Sequence, residues 1–152
     1  MVQLKKIVFC TDFSENANEA FELAFDLTQK YGAQILLVHV VPPLVFPSPV
    51  MEEFISEQAN YQFIDQVIQR SLEQMETTYV SRMGGYENVR VQVLSGHPAS
   101  EILQFIEQEK VDLVVMGTHG FTGLAHFFLG STAEKVVRRA GCSVLTVHHS
   151  PA

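Results

Sequence analysis

A chain of 152 residues, 47% hydrophobic and 18% charged, has apolar material enough for one compact core and is unlike a disordered chain. Its formal net charge of −7 opposes binding to nucleic acid or to an anionic membrane surface, both of which draw on surplus lysine and arginine. The longest apolar runs, 35–43 and 111–117, fall short of the roughly 20 residues of a membrane span, and the N-terminus lacks the apolar core of a secretory leader, so one cytoplasmic domain over 1–152 is expected.

Leu4 to Cys10 is a short apolar run without alternation, the pattern of a strand covered on both faces. Thr11-Asp12-Phe13-Ser14 supplies capping residue types, with Asp12 a candidate cap and Glu15 its reciprocal partner. From Ala17 the apolar positions Ala20, Phe21, Ala24, Leu27 and Tyr31 recur at helical spacing up to Gly32, a residue suited to a left-handed stop. Gln34 to Val41 reads as a second buried strand. Pro42, Pro43, Pro47 and Pro49 cannot donate to a ladder, so the segment through Asn60 is expected to be loop, with its apolar residues forming a lid or contact surface.

Phe63, Ile64, Val67, Ile68, Leu72, Met75, Tyr79 and Met83 trace a long amphipathic helix that ends at Gly84-Gly85. Val89 to Leu94 follows as a third strand, and Gly96-His97-Pro98 opens a helix with Ile102, Leu103 and Ile106 on its buried side. Val111 to Met116 is a fourth strand, Ser131 to Ala140 a helix and Ser143 to Val147 a fifth strand. Strands alternating with helices predict an α/β fold, a doubly wound five-stranded parallel sheet with helices on both faces, whose ligands bind beyond the carboxyl ends of the strands. Cys10 and Cys142 lack metal-type spacing and read as buried small residues.

The most informative stretch is Gly117-Thr118-His119-Gly120, nine further residues, then Gly130-Ser131-Thr132, set between a buried strand and a helix. Glycines let backbone approach a ligand, and the open amides of a helix N-terminus favour an anion. Ser131 with Glu134 also matches a capping box, so a phosphate site and a merely tight connection both remain open. Neither the Walker pattern nor the dinucleotide pattern of glycines occurs. Among the histidines, His39 reads as a hydrogen-bonded core residue, His119 as a donor to phosphate or a solvent-facing residue, and His97 as part of a helix start. His148 and His149 are adjacent, so on a continuing strand they point to opposite faces. Phe121, Leu124, Phe127, Phe128 and Leu129 make the loop after Gly120 apolar, which suits packing on the sheet rim or a lid or subunit contact, the latter favoured.

Gly117-x2-Gly120-x9-Gly130-Ser131 resembles the G-x2-G-x9-G-[ST] signature of the ATP-binding branch of the universal stress protein family. The similarity extends to Ile7-Val8-Phe9-Cys10-Thr11-Asp12-Phe13-Ser14, Leu37-Val38-His39-Val40, Val114-Val115-Met116-Gly117 and Cys142-Ser143-Val144-Leu145-Thr146-Val147. The resemblance implies an adenine nucleotide alpha hydrolase-like sheet in the order 3-2-1-4-5, a homodimer joined through the strand Ser143 to Val147, and ATP in the cleft above strands one and four. It places Asp12 and the backbone of Val40 at adenine, Thr11 at the base or ribose, and Met116 and Gly117 beside ribose and phosphates. It wraps the triphosphate with Gly120, Gly130, Ser131 and Thr132, beside the His119 already read as a candidate phosphate donor, and admits a Mg or Mn ion there. Cys10 stands where many relatives have proline, which leaves the turn after the first strand less rigid. The resemblance favours a nucleotide-dependent stress or regulatory module with slow or no hydrolysis, over a weak ATPase or a nucleotide-free interaction protein.

Overall fold

The computed structural model describes residues 1–119 and 129–149. Its centre is strand β1 (Lys6–Cys10), flanked in parallel by β2 (Gln34–Val41) and β4 (Leu113–Gly117). Strands β3 (Val89–Ser95) and β5 (Ser143–Val147) extend the sheet on either side in the order β3-β2-β1-β4-β5, the order that the family resemblance implies. Chain direction along the sheet reverses between β1 and β4, which opens a crevice at their carboxyl ends.

Alternation along the buried strands feeds two cores. Ile7 and Phe9 of β1 pack on one face with Ala20, Phe21 and Ala24 of helix α1 (Glu15–Tyr31) and Met75 of α3 (Glu57–Thr78). Val8 and Cys10 pack on the other with Ile102, Phe105 and Ile106 of α4 (Pro98–Glu109) and Val136 of α5 (Ser131–Arg139). Each fully buried large side chain contributes about 1.5–3 kcal/mol, which is why β1, covered on both faces, is apolar throughout its inner positions. Gly32 ends α1 in the left-handed conformation at φ 62°, with its N–H turned back to Gln29 and Thr28 carbonyls.

The segment through Asn60 is not all loop. Ser48 caps a short helix α2 (Pro49–Phe54) by accepting from the Met51 amide, and Pro49 occupies its first turn, where a missing N–H costs nothing. Ser56 then caps α3 by accepting from Ala59, so this helix starts at Glu57, ahead of the first residue of the apolar pattern at Phe63. It ends at Thr78, and residues Val80–Arg82 form a 3-10 turn before Gly84. The capping of α1 also differs from expectation. Ser14 accepts from the Ala17 amide as the cap, while Asp12 Oδ1 accepts from the Ser14 amide at 3.0 Å and braces the turn leading in.

Candidate functional site

A cleft of about 670 Å³ opens above the carboxyl ends of β1, β2 and β4. Thr11, Asp12, Val40, Met116, Gly117, His119, Gly130, Ser131 and Thr132 all line it, so the residues singled out from sequence converge on one place. Gly120 and the apolar positions Phe121, Leu124, Phe127 and Phe128 lie outside the described residues; Leu129 is half-buried at the cleft wall. Side chains of the second core, Cys10, Val38, Ile102 and Ala133 among them, supply the apolar floor and wall. Burial pushes the Cys10 thiol up to about 12, with Cys142 adding to the rise, so this sulfur stays a neutral part of the floor.

One end of the cleft is defined by how β1 stops. In a parallel ladder alternate residues turn their N–H and C=O to opposite neighbours. Gln34 N donates to Lys5 O and Val38 O accepts from Thr11 N, so these residues of β2 face β1. Ile35 N donates to Asn88 O and Val41 O accepts from Gly96 N, so the intervening ones face β3. Val40 therefore turns both its polar groups toward β1, which has already ended at Cys10.

The groups that would meet Val40 are engaged elsewhere. Thr11 O accepts from His39 Nδ1 at 2.8 Å, and Phe13 N donates to Thr11 Oγ1 at 2.9 Å. Among the described residues neither Val40 N–H nor Val40 C=O finds a partner, leaving a donor and an acceptor side by side at the crevice. The Thr11 side chain lies on the face away from the cleft, bonded to Tyr79, so Thr11 lines the crevice without a free hydroxyl. His39 is a hydrogen-bonded, half-buried residue as expected; burial lowers its pKa, against smaller upward effects of the Thr11 carbonyl and the Asp12 charge.

The other end is the start of α5. Gly130 is the cap residue, with no side-chain bond, and Glu134 N donates to Gly130 O at 2.9 Å. Ser131 is thus the first helical residue and no capping box forms; Glu134 instead pairs with Arg138 at 3.2 Å. The amides of Ser131, Thr132 and Ala133 meet no acceptor among the described residues, and they carry the positive end of the helix. Gly130 N is spent on Thr118 O at 2.6 Å, which pins this helix mouth to the end of β4. No lysine or arginine lines the cleft among the described residues, and the sequence 120–128 contains neither. An anion here is met by main-chain dipoles and by hydroxyls of Ser131 and Thr132.

Asn16 is a site residue that sequence reasoning missed. Buried in the first turn of α1, it donates from Nδ2 to Val147 O at 2.9 Å and accepts at Oδ1 from His119 N at 2.9 Å. It thereby joins β4, β5 and the chain leaving Gly117. His119 turns Nδ1 to Thr118 Oγ1 at 2.9 Å. His148 lies beside Thr118 and His119, whereas His149 reaches Glu19 at 2.6 Å, so the adjacent pair does diverge. His97 stands at the cap of α4 and contributes its carbonyl to Glu101 N rather than a side-chain cap.

The fold and the cleft together define a doubly wound α/β protein whose crevice at the switch point joins the Val40 peptide edge to the start of α5. Residues 3–148 match the universal stress protein family, and the chain belongs to that family. Among its relatives is the universal stress protein MJ0531 of Methanocaldococcus jannaschii, 36% identical over 148 residues that cover 94% of this chain and 81% of that protein. The solved structure of MJ0577 from the same organism is 26% identical and superposes with a TM-score of 0.83 over 99% of this chain and 100% of that one. A universal stress protein solved in complex with cAMP shares the fold at 21% identity, with a TM-score of 0.63 over 98% of this chain and 100% of that one.

Proposed function

We propose that this universal stress protein binds ATP and works as a nucleotide-dependent stress or regulatory module of the cytoplasm, with slow or no hydrolysis. The observation that carries this reading is the pairing, across one cleft, of the Val40 peptide edge with the amides of Ser131, Thr132 and Ala133, none of which finds a partner among the described residues. A purine such as adenine offers an adjacent donor and acceptor to the first, and phosphates suit the second. A universal stress protein that holds cAMP lends support from a shared fold.

Asp12, with Oδ1 committed to Ser14, keeps its other oxygen for the base or ribose. A Mg or Mn ion would be held chiefly by the phosphates, with the hydroxyls of Ser131 and Thr132 as protein donors, and would offset charge that no lysine or arginine among the described lining residues offsets. Turnover would need a placed base and charge stabilisation at the transferred phosphoryl, and among the described residues no lysine or arginine lines the cleft to supply the latter. The free edge of β5, with Val144, Leu145, Thr146 and Val147 half-buried, suits pairing with a second copy, so a homodimer is part of the proposal. Light scattering is expected to give twice the 17.0 kDa of one chain.

The deciding experiment is to denature the purified protein, identify any released nucleotide, and titrate the emptied protein with ATP by calorimetry. An adenine nucleotide in the supernatant or saturable ATP binding is expected. Absence of both overturns the reading.

A further inference from the structure

Tyr79 lies on the face of the sheet opposite the cleft, and we propose that it is a positioning residue for the base edge: by holding Thr11, it keeps the chain after β1 away from Val40. This rests on the nucleotide reading above. Tyr79 is fully buried just past α3, edge-on to Phe9 at 5.1 Å and 4.9 Å from Phe21. A hydroxyl in such a place needs a partner, and the partner is Thr11 Oγ1 at 2.5 Å.

That same oxygen accepts the Phe13 amide. An unbroken β1 would bring this amide to Val40 O, so the Thr11 hydroxyl takes the donor that would close the edge. Phe13 adopts φ 65°, a region that bulky residues avoid. It is kept there by its bond to Thr11, by the His39 ring at 4.6 Å and by the stacked Tyr79 ring at 6.1 Å. Without the Tyr79 hydroxyl, Thr11 Oγ1 keeps only the Phe13 amide as a partner, and its rotamer is no longer fixed from behind the sheet. Phe13 then relaxes toward β2, where its amide pairs with Val40 O and competes with a bound base. The amides at the start of α5 belong to other elements and keep their geometry.

The test compares two probes on the full chain by calorimetry: ATP, which has a base, and inorganic tripolyphosphate, which does not. The wild type is expected to prefer ATP. In Tyr79→Phe and in Thr11→Val, ATP affinity is expected to fall about tenfold, as for the loss of one or two hydrogen bonds, with tripolyphosphate affinity unchanged. Thr11→Ser keeps the hydroxyl and is expected to retain the wild-type preference. The proposal is overturned by Tyr79→Phe or Thr11→Val keeping that preference, or by both variants losing both probes alike. If Tyr79→Phe does not fold, the contrast between Thr11→Val and Thr11→Ser decides. A wild type that binds ATP no better than tripolyphosphate removes the base edge and this proposal with it, while a wild type that binds neither overturns the nucleotide reading first.

Discussion

The amide oxygen of Asn16 fills the place at Gly117 where another residue would carry its Cβ: that atom would stand 2.6 Å from Asn16 Oδ1 and 3.3 Å from the Asn16 carbonyl carbon. Glycine is needed at 117 by a neighbouring side chain of the same protein, before any ligand is considered. Gly117→Ala is therefore expected to destabilise the fold by about 1–3 kcal/mol in urea denaturation. In an Asn16→Ala background the same change should cost less, with a coupling of at least about 0.5 kcal/mol. Strict additivity would show that the two positions do not interfere.

Gly130 has φ −58° and ψ 160°, values open to any residue, so conformation is not what requires glycine there. A Cβ would lie 3.2 Å from Thr118 O, the acceptor that pins the helix mouth. Gly130→Val is expected to lower ATP affinity at least tenfold or so in calorimetry, while stability falls by only about 1 kcal/mol. Unchanged affinity would place the phosphates away from this helix start.

Glu134 and Arg138 form an exposed pair one helical turn apart, worth no more than about 0.5 kcal/mol. The Glu134 carboxylate nonetheless stands in the first turn of α5, close to where an anion would sit. Glu134→Gln should leave the urea midpoint nearly unchanged and raise ATP affinity a few-fold at low ionic strength, an advantage that added salt removes. Weaker ATP binding in this variant would mean that the carboxylate helps to hold the ligand or its cation.

Burial holds the His39 pKa below its ordinary 6.5 in the folded protein. The unfolded chain then binds the proton more readily, so the stabilising contribution of neutral His39 is complete above about pH 7 and is lost as pH falls below about 6.5 toward the folded value. Denaturation midpoints measured from pH 7.5 down to about pH 5 should decline, and His39→Gln should flatten that slope. An equally steep slope in the variant would assign the pH dependence to other groups.

The five strands were legible because each is written in consecutive residues, most plainly in the apolar runs of β1, β2 and β4. Four prolines masked two caps that were equally local, Ser48-Pro49 for α2 and Ser56 for α3. The capping box at Ser131 failed by one position, since the helix starts where Gly130 rather than a hydroxyl bears the cap. The bonding roles of Asn16 and Tyr79 could not be read. Their partners, Val147 and Thr11, are 131 and 68 residues away, and only the closed sheet brings them together.

The polar pair left open on Val40 belongs to main chain. Exchange of that valine for isoleucine or leucine leaves both groups in place, and proline alone would delete the donor. Sequence drift at position 40 can thus reshape the wall of the crevice without erasing its hydrogen-bonding capacity, which answers instead to the route the backbone takes between Cys10 and Ser14. Mutational scans that judge positions by lost side chains would score Val40 as tolerant and find the sensitive sites behind the sheet.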